Sequence, residues 1–471
     1  MKRNTSYSPF FIGGREENLY SFTQPVPFGR SLVFALQHFL TLFLSNATPI
    51  LLVLSVSYNG ATLDPSIVEN GIKAALFFSC VGTIIQILPI WKIGSRLPVI
   101  VGMNFAFVGV LSLVARTYGF PTMFISGIIG AIFLVLIGLL GKYWSKWIKP
   151  ITGAVVVLAL GLSLVEVAAK QMLGLSDMPS LATAYDLTVA WPYLLIAFIA
   201  LITTVVWRIV FKGFVKNLSI GVGLLAGYIA AVCIPGIVDF SGITFTKFSD
   251  FLSAPLPIFA LMNFSWGDFN VGAIIVVCII YLIEASDWIG AVSSLTNSIE
   301  GRQPTSKEIA GLVTGLGVSS ALCTTFGGIG HALYGQNIAI TTENKVINRG
   351  VYLLVALMLG ASAFLPIVPR ALMTVPGAVI GGVLLILFGS IVVSGMRMIA
   401  NCGFTAKNIL IVSVSLGVGY GITLIPSFVS ATYENEFLNY LMLVISNPIA
   451  NTFLIALPLS LLLPKRMESE E

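Results

Sequence analysis

Long apolar runs, separated by short stretches that carry charge, proline or glycine, fill the chain from Arg30 to Leu463. A helix crosses a bilayer with about 20 mostly apolar residues. Cutting at the breaks predicts spans near residues 31–55, 72–91, 99–115, 122–141, 151–169, 189–207 and 217–238, then 270–290, 308–326, 333–343, 349–367, 377–396, 408–425 and 445–463. The predicted fold class is an all-α polytopic membrane protein with fourteen segments, two of them half-length. Residues 103–107 and 336–340 leave the helical period for an alternation of two, each after a glycine, and predict brief extended strands.

Those strands lie in near copies. Gly102-Met103-Asn104-Phe105-Ala106-Phe107 and Gly335-Gln336-Asn337-Ile338-Ala339-Ile340 share one pattern of glycine, asparagine, alanine and apolar positions, 233 residues apart. Residues 151–165 and 379–393 keep Gly153/Gly381, Val155/Val383 and Gly161/Gly389 at a separation of 228. The chain reads as a duplication, and seven spans per half make the second repeat enter the membrane from the opposite side. In carriers built this way the halves meet at the substrate site. Extended backbone at membrane depth must be buried in protein, because lipid satisfies no N–H or C=O group. The two strands are therefore expected to pair at the midplane, each running into a half-helix whose N-terminus points at the centre. Such a site suits a flat, polar, partly anionic molecule; the structural alternative is a pair of glycine-containing packing turns.

Composition agrees with a membrane protein: 57% of the 471 residues are hydrophobic, only 10% are charged, and mean hydropathy is +0.97. With the N-terminus placed in the cytoplasm, 20 of the 25 Lys and Arg fall on the cytoplasmic side, as the positive-inside bias requires. Lys73, Arg116, Lys170, Lys247 and Arg370 are left outside. Both termini are thus expected to be cytoplasmic. No cleaved signal peptide is recognised, and a bacterial inner membrane is the expected location. The net charge of +5 sits between apolar runs rather than on one basic face, so no nucleic-acid partner is expected. Five singly scattered cysteines form neither a disulfide framework nor a metal site. No phosphate-binding loop, zinc-protease motif or nucleophile elbow appears, so the chain reads as neither an enzyme nor an ATP-driven pump, with no cofactor.

Ionisable and polar groups inside apolar spans are costly unless they face a cavity or a partner. Glu284 and Asp287, three residues apart, share one helix face, and Asp287 is the first candidate for proton coupling and substrate binding. An interfacial pair reaching water is the structural alternative. Gln336 offers two donors and an acceptor, the complement of an amide edge on a heterocycle. Phe105 can stack on an aromatic ligand. Ser45, Asn104 and Asn337 add polar contacts. Gln37 and His38 are polar neighbours in the first span; His38 is a candidate proton carrier, against the commoner role of a satisfied buried histidine. His331 is placed in the loop before the second strand, and Glu166, near Lys170, at an interface.

From Tyr334 to Lys345 the chain resembles the nucleobase–ascorbate transporters, the nucleobase:cation symporters of the second type, as a divergent member similar to xanthine and uric acid permeases. Gln336, Asn337 and Lys345 match that family's signature, while Ala339 replaces its glycine and Asn344 its threonine. Gln37-His38 looks like the family's Q-H in the first span, Asn104 to Phe107 like its S-F-A-F strand, and Asp287 to Gly290 like its E-x-x-G element with Asp for Glu. The resemblance implies a cytoplasmic segment 1–29, a core domain at 30–148 and 251–370 (spans 1–4 and 8–11), a gate domain at 149–250 and 371–464 (spans 5–7 and 12–14), and a cytoplasmic tail 465–471. It also implies a homodimer through the gate and an elevator movement of the core. Phe105 would stack on the base, Asp287 would be the substrate carboxylate, Gln336 would bind the heterocycle's polar edge, and His38 and Asn337 would support the site; Glu284 is the alternative coupling group. Within the family, glutamine at the Gln336 position goes with xanthine or uric acid and glutamate with uracil. The expected function is proton-coupled import of a purine base, with sodium as the alternative ion. Three other readings stay open: a carrier of uracil or another nucleobase, an anion carrier of the related sulfate-permease-like fold, and a membrane sensor that binds a base without moving it.

Overall fold

The computed structural model describes residues 19–140, 149–182, 184–212, 215–216, 218–241, 251–429 and 435–464. Most of the predicted N-terminal segment, the tail 465–471 and the loop cations Lys142, Lys146 and Lys247 lie outside the described residues.

The first seven predicted spans correspond to α1 (Phe28–Leu54), α2 (Pro65–Ile87), a strand β1 (Val101–Met103) leading into α3 (Ala106–Tyr118), α4 (Phe120–Leu139), α5 (Pro150–Met172), α6 (Leu187–Val210) and α7 (Ser219–Val232). The second seven are α8 (Val271–Glu300), α9 (Ser306–Thr325), β2 (His331–Leu333) leading into α10 (Gly335–Asn344), α11 (Arg349–Ala363), α12 (Gly377–Asn401), α13 (Ala406–Val414, continued through a π turn and a 3-10 turn to Leu424) and α14 (Pro448–Leu462). Local chemistry sets several starts. Asp64 accepts from Ser66 N–H ahead of Pro65, Thr305 and Glu308 form a capping box on α9, and Asn447 accepts from Ile449 and Ala450 N–H ahead of α14; each satisfies donors that a helix leaves free.

Packing repeats the duplication. Exchange each span for the one seven positions on, and observed helix pairs map onto other observed pairs: α4 on α9 becomes α11 on α2, α1 on α11 becomes α8 on α4, α1 on α10 becomes α8 on α3, and α12 on α7 becomes α5 on α14. Among the described residues α5 on α12, α2 on α9, and β1 on β2 map to themselves, which puts these pairs on the pseudo-twofold axis of two inverted repeats. Glycine lets α5 and α12 approach: a Cβ on Gly161 would come 2.6 Å from Val392 N, and one on Gly381 2.3 Å from Met172 N.

The strands are where the prediction needs correction. They are antiparallel and pair Val101 with Leu333, Gly102 with Ala332 and Met103 with His331, so His331 belongs to the second strand, not to the loop before it. Most of residues 103–107 and all of 336–340 lie in the turns that open α3 and α10 rather than in strands. A five-residue alternation of apolar side chains does not separate a strand from the start of a half-helix, and Asn104 Oδ1, accepting Ala106 N–H at 2.8 Å, turns the chain into helix at once. The two matching hexapeptides also fall out of step: Gly102 is the centre of β1, whereas Gly335 is the first residue of α10.

Candidate substrate site at the strand crossing

Three-residue strands leave N–H groups with no ladder partner, and the surrounding helices supply acceptors. Val101 N–H donates to Thr83 Oγ1 at 3.0 Å and Met103 N–H to Asn46 Oδ1 at 2.6 Å. His331 N–H donates to Ser320 Oγ at 2.9 Å. Asn104 and Tyr334 extend the pairing through N–H bonds to Gly330 and Ile100 carbonyls, both 3.0 Å. Asn46 was missed in the sequence; a buried asparagine in an apolar span was the available signal. Gly102 is required for the close approach, since a Cβ there would lie 2.7 Å from the Tyr334 ring.

Beside the crossing, Asn104 Nδ2 donates to Glu284 Oε2 at 2.6 Å. Glu284 is 4% exposed and sits in the middle of α8, so it is no interfacial group. Asp287, one turn further, is half-buried. The structure thus brings Glu284, rather than Asp287, into contact with the asparagine that starts the half-helix α3. The N-termini of α3 and α10 add partial positive charge at the same crossing.

On the α10 side Gln336 is half-buried in the first turn. Asn337 is buried and points back into the bundle: its Nδ2 donates to His38 Nδ1 at 3.1 Å and to His38 O at 3.2 Å. With Nδ1 accepting, a neutral His38 carries its proton on Nε2. The His38 ring also lies 5.4 Å from that of Tyr352, whose hydroxyl bonds Thr341 at 2.7 Å, while Asn344 Nδ2 donates to Gln37 Oε1 at 3.2 Å. His38, Asn337 and Gln37 therefore bolt α10 to α1 and α11.

Phe105 is the N-cap of α3, and its ring meets Phe388 of α12 edge-on, 5.1 Å between centroids. Nearby, Ser45 and Thr48 of α1 face Ile380, Val383 and Leu384 of α12 and Ile220 and Leu224 of α7 across a cavity of about 10 Å³. Phe105 and Ser45 accordingly lie on one seam, with Glu284 and Asn104 behind it on the strand side.

A profile of the Permease family, Xan_ur_permease, matches residues 29–428. The chain belongs to this family, the nucleobase–ascorbate transporters. It is 27% identical to the xanthine permease XanQ of Escherichia coli over 93% of this chain and 92% of XanQ, and 27% identical to the E. coli xanthine permease XanP over 95% of each chain. A Clostridium perfringens protein, provisionally named a purine permease, is 28% identical over 87% of this chain and 86% of its own. Among solved structures, the transmembrane domain of the cyanobacterial bicarbonate transporter BicA aligns over 93% of this chain and 100% of its own, with TM-score 0.56 and 16% identity. Murine Slc26a9, an anion transporter in its inward-facing state, aligns over 87% of this chain and 70% of its own, with TM-score 0.59 and 11% identity. These two neighbours share the fold; the sequence relatives carry the family. This nucleobase–ascorbate transporter is a membrane carrier and not an enzyme.

Proposed function

We propose that this transporter imports a purine base, xanthine or uric acid before others, in symport with a proton. The observation that carries it is the buried Asn104–Glu284 pair at the strand crossing. A carboxylate held there accepts from the N–H edge of a purine, and Gln336 offers the complementary amide from α10. Phe105 supplies a ring face once it parts from Phe388. Glu284 takes the central role in binding and coupling, with Asp287 one turn away as the second acid; His38 and Asn337 hold α10 in place. The names of the E. coli relatives support xanthine as first substrate. A carrier of small inorganic anions is the poorer fit, because such an anion has no N–H edge to offer the Glu284 side chain.

In this reading α1 to α4 with α8 to α11 form a core that slides against a gate of α5 to α7 and α12 to α14, both termini face the cytoplasm of a bacterial inner membrane, and two copies meet through the gate. The test is uptake of labelled xanthine into cells lacking their own purine carriers, with and without a protonophore. Unlabelled uric acid, guanine, hypoxanthine and uracil serve as competitors. Saturable uptake that the protonophore abolishes is expected. No uptake despite membrane expression would overturn the purine assignment, and sodium-dependent uptake would replace the proton.

A further inference from the structure

Cations left on the outer side against the positive-inside bias carry a cost in topology, and three of the five, Lys73, Arg370 and Lys170, are held by glutamates. Two of them share Glu69 in the second turn of α2. Glu69 forms an ion pair with Lys73 and accepts from Arg370 Nε at 2.9 Å. Lys73 also donates to Ser253 Oγ at 2.7 Å. Between them in sequence, Asn70 donates to the Leu256 and Phe326 carbonyls at 3.0 and 2.8 Å and accepts from Leu256 N–H at 2.7 Å. These partners are not scattered: Ser253 and Leu256 belong to the connection from α7 to α8, and Arg370 to the connection from α11 to α12.

The second connection is bent. A short helix, Ile367–Met373, leaves α11 at 79°, and Arg370 ties it to α2. Four to eight residues past Arg370 the chain is tied to other helices. Thr374 Oγ1 meets Tyr228 OH of α7 at 2.5 Å, and Asp177, in the turn after α5, accepts from Gly377 and Ala378 N–H at 2.7 and 2.8 Å, holding the start of α12.

We propose that the first turns of α2 are the fixed post of the moving core: Glu69, Asn70 and Lys73 clamp both outer connections to it, and Asp177 and Tyr228 clamp the far end of the second to the gate. Displacement between core and gate is then absorbed in Ala371, Leu372 and Met373, between Arg370 and Thr374. Hinges of this kind are a few residues at element ends that take up the backbone change. Glu69 and Arg370 are positioning residues, which set the rate of the movement without touching the base. This inference rests on the core-and-gate reading above.

Glu69→Gln, Arg370→Gln and the charge-conserving Arg370→Lys, purified and reconstituted, test it by xanthine binding in detergent and by uptake into proteoliposomes under a proton gradient. Binding within about twofold of wild type is expected for all three, with uptake about tenfold slower in the two Gln variants and largely restored in Arg370→Lys. Wild-type uptake in both Gln variants, or a loss confined to binding, would overturn the post. If wild-type protein neither binds nor moves xanthine, the purine assignment fails, and hydrogen exchange of the peptide spanning 364–376 decides the hinge by itself. Faster exchange in Arg370→Gln supports it, and unchanged exchange overturns it.

Discussion

Asn104 and Glu284, 180 positions apart in sequence, meet through a 2.6 Å hydrogen bond at the point where the two inverted repeats cross. The same Asn104 side chain accepts from Ala106 N–H and starts the half-helix α3. One residue thus shapes the backbone of the site and orients its acid.

Glu284→Gln is expected to insert normally and to lose proton-coupled xanthine accumulation. Asn104→Ala, which strips the buried acid of its donor, should weaken xanthine binding by about tenfold or more, as leaving a buried polar group unsatisfied costs about 1–3 kcal/mol. Uptake and equilibrium binding on the same membranes check both. Wild-type accumulation in Glu284→Gln would return the coupling role to Asp287.

Gln336→Glu exchanges an amide donor for an acceptor in the first turn of α10. Xanthine affinity is expected to fall at least about tenfold, about 1.4 kcal/mol, while uracil gains as a competitor. A competition series against labelled xanthine reads this directly, and an unchanged ranking of bases would remove Gln336 from the specificity site.

Gly102→Val places side-chain atoms where the Tyr334 ring stands. Overpacking of this kind costs about 1–3 kcal/mol. The variant should melt well below wild type in detergent and bind xanthine poorly, whereas Gly109→Ala, with open space at its Cβ position, should match wild type in both measurements.

Burial pushes the Asp177 carboxyl above the usual range, against the smaller opposing pull of the Gly377 and Ala378 N–H groups. A carboxyl raised in the folded state takes up its proton there at higher pH than in the unfolded chain, so its contribution to stability grows as pH falls. The melting temperature of wild type relative to Asp177→Asn is therefore expected to rise on acidification from neutral pH toward the ordinary Asp value of about 3.9. A difference independent of pH would place the carboxyl at its ordinary value.

The spans were legible in the sequence because bilayer thickness dictates the length of an apolar run, and most of α1 to α14 begin and end within a few residues of the predicted breaks, although α2 starts seven residues early and α8 runs ten residues further, to Glu300. The strands were displaced by a few residues for want of any signal that separates three extended residues from a buried helix start. The choice between Glu284 and Asp287 could not be read from helical spacing, which puts both on one face; what separates them is the partner, and nothing near residue 284 announces Asn104. Asn337 matches Asn104 in the repeated hexapeptide, yet it sits inside α10 and bonds His38, because the two hexapeptides are offset relative to their strands. Likewise Glu69 and Arg370, 301 positions apart, are an ordinary glutamate and arginine until the fold closes.

The edge-on contact of Phe105 with Phe388 has an electrical consequence. A hydrophobic constriction too narrow to stay wet interrupts any file of waters along which protons could hop. Under the proton symport proposed above, a seam closed by these two rings would insulate, and their parting would be the event that connects the gradient to transport.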